Sequence, residues 1–175
     1  YANGDEIPGG LTNGEWSSTT SGAQAFYAND VSHLSDYGRL YNWYAVDDSR
    51  GLCPSGWHVP TDGEFMTLEM ELGMSESEAN GTAFRGTDQG TQIKSSPEDN
   101  PSWDGTNTSG FSGLAGGWRD ASNGNYWHKG SYGFFWSASS SGTDAWPWYR
   151  ELASYPFVVR LNGPARYGFS VRCIK

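Results

Sequence analysis

The segment at residues 51–65, GLCPSGWHVPTDGEF, brings together residue types that could carry out chemistry. Cys53 and His58 are close enough along the chain to form a nucleophile and its base, or two ligands of a metal. Pro54, Gly56 and Pro60 exclude regular secondary structure through this segment. The first question is therefore whether these residues form a site or only direct the chain into the next element.

The second cysteine, Cys173, lies near the opposite end of the sequence. A zinc site would need cysteine and histidine residues clustered at short spacing, and the sequence has no such cluster. A disulfide between Cys53 and Cys173 is the simpler interpretation, and it would close a loop of about 120 residues worth about 4–5 kcal/mol in chain entropy. Such a bond would indicate an oxidising compartment. Two buried reduced thiols are the alternative.

The composition indicates one acidic, loop-rich domain over residues 1–175. The chain has 24 glycines, 9 tryptophans and 10 tyrosines, and its net charge is −9. That charge disfavours a nucleic-acid partner, because phosphate groups are negative too. The sequence has no polybasic segment and no apolar run of about 20 residues, so we expect no membrane insertion by this domain.

A first helix is predicted at residues 37–48, YGRLYNWYAVDD. The residues at helical spacing there are Tyr37, Leu40, Tyr41 and Tyr44. Either Ser35 or Asp36 could cap this helix at its N-terminus.

A second helix is predicted at residues 61–72. Thr61 stands three residues before Glu64, which is the spacing of a capping box. One face of this helix carries Phe65, Leu68 and Leu72, and the residues off that face are Glu69 and Glu71. Gly73 is placed to end the helix.

Strands dominate the rest of the sequence. Residues 74–110 are polar and rich in turn formers, and we expect an ordered loop excursion there. Short aromatic and β-branched runs then predict strands at residues 111–118, 133–139, 148–153, 157–162 and 167–175. Two helices, a long loop region and an antiparallel sheet together predict an α+β fold.

Several of these segments resemble one bacterial family. They are YGRLYNWYAVDDSRGLCPSGWHVPTDGEF, TSGFSGLAGGWR, FFWSAS and YGFSVRCIK. They are similar to the Fibrobacter succinogenes major paralogous domain, which is related to the C-type-lectin-like fold and to formylglycine-generating enzymes. The resemblance implies a C-type-lectin-like domain in a secreted or cell-surface bacterial protein. It also implies a further strand and a tryptophan-containing motif before Tyr1, which this chain lacks.

The resemblance gives the 51–65 segment a structural interpretation. It implies that Trp57 and Val59 are core anchors and that His58 is a hydrogen-bonded structural residue. Formylglycine-generating relatives need two redox cysteines close together in their active site, and this chain has one cysteine in its C-terminal half. We therefore predict that the protein is not an enzyme, with formylglycine-type chemistry as an alternative.

One loop offers oxygen ligands for a metal. Residues 98–107, EDNPSWDGTN, contain Asp99, Asn100, Asp104 and Asn107, and such side chains suit calcium. Their spacing does not match an EF-hand, and a turn loop held by Asx hydrogen bonds is the favoured interpretation. We therefore predict no cofactor, and calcium remains a candidate.

The best candidate for a binding surface is the segment at residues 147–166. Strand alternation places Tyr149 and Glu151 on the face opposite Trp148 and Leu152. The resemblance puts Trp148 and Leu152 in the core, so Tyr149 is expected to point outward. The predicted ligand-binding residues are Tyr149, Glu151, Tyr155, Phe157, Arg160 and Arg166, since aromatic residues and arginine carry most interface energy. The alternative is that Tyr155, Phe157 and Val159 pack beneath loops.

Residues 152–173 also lack Trp, Glu, Gln, Lys and Met. Relatives of the implied fold include the variable proteins of diversity-generating retroelements, and these five residues cannot arise from a codon with two randomised bases and a fixed pyrimidine. The leading hypothesis is a non-catalytic, extracellular module that binds a protein or carbohydrate ligand at a cell surface. A retroelement-diversified receptor-binding protein, an enzyme and a structural assembly domain are the alternatives.

Overall fold

The computed structural model describes residues 1–142 and 146–175. Its helices are α1 (Asn13–Ser18), α2 (Leu34–Tyr37), α3 (Trp43–Val46), α4 (Asp62–Glu71), α5 (Glu76–Ala79) and α6 (Gln89–Ile93). Its strands are β1 (Gln24–Ala25), β2 (Leu40–Tyr41), β3 (Ala83–Arg85), β4 (Trp118–Arg119), β5 (Tyr126–Trp127), β6 (Gly133–Ser140), β7 (Pro147–Leu152) and β8 (Val158–Asn162). None of the described helices is both long enough and apolar enough to cross a bilayer.

The main sheet has four antiparallel strands in the order β3-β8-β7-β6. Two small antiparallel pairs, β1-β2 and β4-β5, accompany it. Helices and antiparallel strands thus share one chain, and the predicted α+β class is confirmed. The segment at 74–110, which was predicted to be a loop excursion, contributes the edge strand β3 and the short helices α5 and α6.

The single helix predicted at 37–48 is wrong. Gly38 follows α2 with φ 72°, a left-handed conformation that ends the helix. The chain then pairs as β2 with β1 before it turns into α3. The cap of α3 is Asn42, whose side chain accepts a hydrogen bond from the Ala45 amide at 3.2 Å. Periodicity indicated one helix because Tyr37, Leu40, Tyr41 and Tyr44 fall at helical spacing, although they belong to α2, β2 and α3 in turn.

The helix predicted at 61–72 is confirmed as α4, together with its cap. The Glu64 amide donates to Thr61 Oγ1 at 3.2 Å, and the Thr61 amide donates to Glu64 Oε2 at 2.8 Å. These two bonds form the predicted capping box. Gly73 follows the helix with φ 101°, as expected of a residue just beyond a helix C-terminus.

Three of the five predicted C-terminal strands are confirmed as β6, β7 and β8. The segment at 111–118 gives only Trp118 to a strand. The segment at 167–175 forms isolated bridges, in which Phe169, Ser170 and Ile174 each pair with a different partner segment. Successive residues with different partners cannot build a continuous ladder, and this explains why the last predicted strand does not form.

The predicted disulfide between Cys53 and Cys173 is confirmed, with a Cα–Cα distance of 5.8 Å. It joins the loop before α4 to the C-terminal segment. Beside it, the His58 amide donates to the Ile174 carbonyl at 2.8 Å. The covalent bond and the backbone bridge therefore hold the same two segments together.

The register of the main sheet defines two faces with different contents. Directly paired residues of an antiparallel sheet point to the same side. The helix face, which packs on α4, carries Arg85, Phe135, Arg150, Leu152, Val158 and Arg160. The aromatic face carries Phe84, Phe134, Trp136, Tyr149, Glu151, Val159 and Leu161. Each face has its own hydrophobic cluster, one around Phe65 of α4 and the other around Phe169.

Candidate functional site

The helix face holds a buried ionic network in which every charged side chain is paired with another member of the network. Glu69, whose side chain is fully buried, accepts from Arg85 at 2.7 and 2.9 Å and from Arg150 at 2.6 Å. Asp62 accepts from Arg150 at 2.7 Å and from Arg160 at 2.6 Å. The sequence pattern placed Glu69 off the apolar face of its helix, but that position faces the arginines of the sheet.

Arg160 was predicted to belong to an exposed binding patch, and this placement is wrong. Only 8% of the residue is exposed, and its guanidinium also donates to the carbonyls of Asn80 and Gly81 at 3.0 Å. Strand alternation puts it on the helix face, where Asp62 neutralises it. Its donors are directed at protein groups, so Arg160 serves to join β8 to α4 and α5.

The network also sets the charge state of Asp62. Burial alone would raise the pKa of this carboxyl, but the hydrogen bonds from Arg160 and the charge of Arg150 outweigh burial, and its pKa is lowered. The carboxylate is therefore ionised in the folded protein at neutral pH. Because its oxygens accept from two guanidinium groups, it is a structural group rather than a catalytic base.

Tyr149 was predicted to point outward, and this is wrong as well. It does lie on the face opposite Leu152, but it is only 8% exposed. Its ring packs against Trp136 and Phe169, at centroid distances of 5.9 and 4.8 Å. The C-terminal segment, bridged through Phe169 to Tyr41, covers this part of the aromatic face. The prediction that Leu152 is a core residue is confirmed.

Arg166 lies apart from the other predicted binding residues. It lines a separate cavity of about 450 Å³ together with Trp43, Tyr44 and Trp146. Its backbone carbonyl accepts a hydrogen bond from the Trp16 indole at 2.8 Å. The structure therefore does not bring Arg166 together with the aromatic side chains of the predicted patch.

Tyr155 and Phe157 are half-buried and lie together at the surface, and the exposed Phe84 completes the group. The rings of Tyr155 and Phe157 are stacked with centroids 4.5 Å apart, and Phe84 meets them edge-on at 5.9 and 5.0 Å. Phe84 is 66% exposed. We call these three residues the aromatic patch. Val159, which pairs with Phe84 in the sheet, is buried. For this residue the alternative prediction, that it packs in the interior and is not part of a binding surface, agrees with the structure.

Sequence analysis missed Phe84 because it lies in the polar segment at 74–110. A strand of three residues is too short to show alternation, and its neighbours Ala83 and Arg85 gave no strand signal. The aromatic patch exists because β3 joins the edge of the sheet beside β8. Only the long-range pairing brings Phe84 to Phe157.

Beside the patch, the aromatic face opens into a pocket of about 250 Å³. Its aromatic lining residues are Trp118, Tyr132, Phe134, Tyr149, Tyr167 and Phe169. The polar side chains in the wall belong to Glu151 and His128. The hydroxyl of Tyr155 donates to Glu151 Oε1 at 2.5 Å, so the carboxylate links the pocket to the patch.

Glu151 carries the negative charge of this region. None of the described ion pairs contains Glu151, so no described Lys, Arg or His nitrogen lies within 4.0 Å of its carboxylate. Burial, and then the adjacent Glu151, raise the pKa of Tyr149. Burial and the hydrogen bond to Glu151 likewise raise the pKa of Tyr155. Both phenols are therefore neutral at physiological pH and can act as hydrogen-bond donors.

The loop that carries the patch is held by a buried lysine. Lys94 donates through Nζ to the carbonyls of Ala153 and Tyr155 at 2.7 and 3.2 Å. Its charge is balanced by Asp104 at 2.8 Å. The sequence gave no sign of this role, because a single lysine in a polar segment usually lies in solvent.

A close backbone approach holds the other end of the loop. The Thr91 amide donates to the Pro156 carbonyl at 3.0 Å. A Cβ atom on Gly90 would lie 2.2 Å from the Phe157 carbonyl oxygen, so only glycine fits there. All of these anchors contact backbone atoms of residues 153–157. Backbone atoms are present whatever the side chain is, so the anchors do not depend on residue type.

The loop at 98–107 is organised by internal hydrogen bonds. Asp99 accepts from the Ser96 amide at 2.6 Å and from the Asn107 side chain at 3.1 Å, while Asp104 pairs with Lys94. The Ser96 hydrogen bond lowers the pKa of Asp99. Within residues 1–142 and 146–175, no three His, Cys, Asp or Glu side chains are grouped so that they could hold a metal ion.

The side chains of the 51–65 segment make contacts that stabilise the local structure. The His58 ring contacts Glu64 Oε1 at 2.8 Å, and both residues are exposed or half-buried. The hydrogen bond from the Thr61 amide, and then that from His58, lower the pKa of Glu64. Val59 is buried, as predicted, but Trp57 is 47% exposed and is not a core anchor. The turn from Pro54 to Trp57 directs the indole away from the core.

The comparisons with known proteins give one match. The model of the family described as Fibrobacter succinogenes major domain matches residues 1–175. Neither the curated proteins nor the solved structures gave a match to this chain.

Proposed function

The chain belongs to the Fibrobacter succinogenes major domain family, and from that premise we propose that it is a non-catalytic, extracellular ligand-binding module. The observation that carries this proposal is the aromatic patch of Phe84, Tyr155 and Phe157. Large rings that touch one another at the protein surface are typical of binding surfaces, because a partner that covers them removes further apolar area from water. The ligand class is a protein or a carbohydrate at a cell surface.

A C-type-lectin-like scaffold is part of this proposal. Its support is the α+β class together with the disulfide that closes most of the chain into one loop. The same disulfide supports secretion or display at a bacterial cell surface, since such bonds persist in oxidising compartments. In such an arrangement the sheet and α4 form a rigid base, and the loops at its edge contact the ligand.

The test uses a pair of variants matched for the loss of exposed apolar side chains. Purified protein is applied to arrays of glycans and of purified extracellular proteins, and each hit is then measured with the variants. Phe84→Ser combined with Phe157→Ser should abolish capture of the hit. The matched control is Val31→Ser, because Val31 is equally exposed, at 63%, and lies outside the patch.

The enzyme alternative is tested with the same material. His58→Ala should leave ligand capture unchanged, because His58 contacts the capping carboxylate Glu64 and not the patch. If His58→Ala removed an activity in a folded protein, and the patch variant kept it, the 51–65 segment would be the site and the binding proposal would be wrong.

A second candidate function has an observation in its favour. The loop at 153–157 is held through the carbonyls of Ala153, Tyr155 and Pro156 rather than through its side chains. Such anchoring lets side chains change while the backbone stays in place, as a retroelement-diversified receptor-binding protein would require. A reverse transcriptase gene and a near-identical template repeat beside the gene would support this candidate, and their absence would oppose it.

A further inference from the structure

The pocket on the aromatic face combines rings with one uncompensated carboxylate. Six aromatic side chains and His128 line it, and Glu151 is the acidic residue in its wall. The faces of aromatic rings are electron-rich and attract cations, and a carboxylate beside them strengthens that attraction. No described cation lies within 4.0 Å of Glu151.

We propose that this pocket receives the guanidinium or ammonium group of an Arg or Lys side chain on a protein partner. The inference rests on the proposed binding function and specifies its ligand. A single carboxylate in an aromatic wall is complementary to a planar or rounded cation, and the volume of about 250 Å³ admits a head group of that size. The net charge of −9 adds long-range attraction for a basic partner.

The position of the pocket explains why the cation belongs to a protein. Tyr155 belongs to the aromatic patch and donates to Glu151 in the pocket wall, so the two features form one continuous surface. A partner that covers the apolar rings of Phe84 and Phe157 can insert one basic side chain beside them. Arginine next to buried aromatic residues is a frequent centre of binding energy at protein interfaces.

The contrast with the helix face supports the same conclusion. There Asp62 and Glu69 each meet two arginines inside the protein, and their charges are compensated without a ligand. Glu151 is paired with Phe134 and Val159 across the sheet, and among the described residues its side chain has only the Tyr155 hydroxyl as a hydrogen-bond partner. The missing counter-charge is what an Arg or Lys side chain would supply.

The first experiment uses two peptides that differ only in charge. The probes are acetyl-Gly-Arg-Gly-amide and its citrulline analogue, which has nearly the same shape and no charge. Binding is followed by NMR through the indole signal of Trp118, assigned with Trp118→Phe, at about pH 8, where imidazoles are generally neutral. We expect the arginine peptide to bind with a Kd on the order of 1 mM, and the citrulline peptide about tenfold more weakly.

The second experiment uses Glu151→Gln, which keeps an acceptor for the Tyr155 hydroxyl. It should weaken the arginine peptide about tenfold and leave the citrulline peptide unchanged. The matched control Glu71→Gln lies on α4, at the other face of the sheet, and should bind like the parent. If Glu151→Gln did not fold, the pair of peptides would still decide the matter with the parent protein.

Three outcomes would overturn the inference. The first is equal binding of the two peptides, and the second is an unchanged affinity in folded Glu151→Gln. The third is a shift of the Trp118 signal that methyl glucoside causes and the arginine peptide does not, which would make the pocket a sugar site. The proposed function fails on a different result, namely a patch variant that still captures the partner. A lost partner with no preference for arginine would therefore remove the inference and leave the binding function in place.

Discussion

The two faces of the main sheet use charge in opposite ways. On the helix face, two carboxylates and three guanidinium groups are buried together and hydrogen-bonded to one another. On the aromatic face, one carboxylate stands among rings with no described cation in reach, and its neighbourhood is open to solvent. Buried charge is tolerated where it is compensated. The comparison teaches that, in one small sheet, the helix face neutralises its own carboxylates, whereas the aromatic face keeps one carboxylate that we propose a ligand neutralises.

The difference has a simple origin in strand alternation. Arg150 and Glu151 are adjacent in β7 and therefore point to opposite sides. Arg150 meets Asp62 and Glu69 of α4, whereas Glu151 faces the pocket. A shift of one residue in register would exchange these surroundings and leave both charges without partners on their new sides. The ionic network thus helps to fix the register that exposes Glu151.

The largest expected effect comes from breaking the network. Glu69→Gln leaves Arg85 without its buried counter-charge and leaves Arg150 with Asp62 alone, and we expect a loss of about 3–5 kcal/mol in the free energy of unfolding, measured with urea. Glu71→Gln, an exposed neighbour on the same helix, should change it by less than about 0.5 kcal/mol. Equal effects of the two substitutions would show that the network is not a source of stability.

A smaller effect on stability is expected when the pH is lowered. The pKa of Asp62 is lower in the folded protein than in the unfolded chain, so its contribution is present above the unfolded value of about 3.9. It is lost as pH falls through the lower folded value. The stability advantage of the parent over Asp62→Asn should therefore shrink as the pH drops from about 5 to about 2. A difference that stayed constant across this range in urea titrations would contradict the assignment.

The smallest effect on stability is expected from a substitution on the aromatic face. Phe84→Ser removes a side chain that is 66% exposed, so the free energy of unfolding should change by no more than about 1 kcal/mol. The same substitution should still reduce ligand capture, since Phe84 belongs to the aromatic patch. A large loss of stability would mean that Phe84 is chiefly a cover for Val159, and the contrast between the faces would be weaker.

Local sequence patterns correctly predicted the secondary-structure elements that depend on residues close together in the sequence. The cap of α4 follows from Thr61 and Glu64 three residues apart, and the strands β6, β7 and β8 follow from their aromatic and β-branched composition. The disulfide followed from the count of two cysteines. In each case the residues that decide the structure are adjacent in sequence or few in number.

The candidate site was predicted only in part, because its parts come from distant segments. Tyr155, Phe157 and Glu151 were identified, whereas Phe84 and the pocket rings Trp118 and Tyr132 were not. Arg160 and Tyr149 have the composition of interface residues but are buried, since α4 covers one and the C-terminal segment covers the other. Residue type indicates what a surface can bind, but long-range pairing decides which residues are at the surface.

The buried position of Lys94 has a practical consequence for chemical labelling. The protein has three lysines, at 94, 129 and 175, and only Lys175 is well exposed. Lys94 is enclosed by carbonyls and Asp104, and Lys129 is half-buried near His33. An amine-reactive dye or a biotin ester should therefore couple at Lys175 much faster than at Lys94. A sensor surface loaded in this way would leave Lys94, the internal anchor of the loop at 153–157, unmodified.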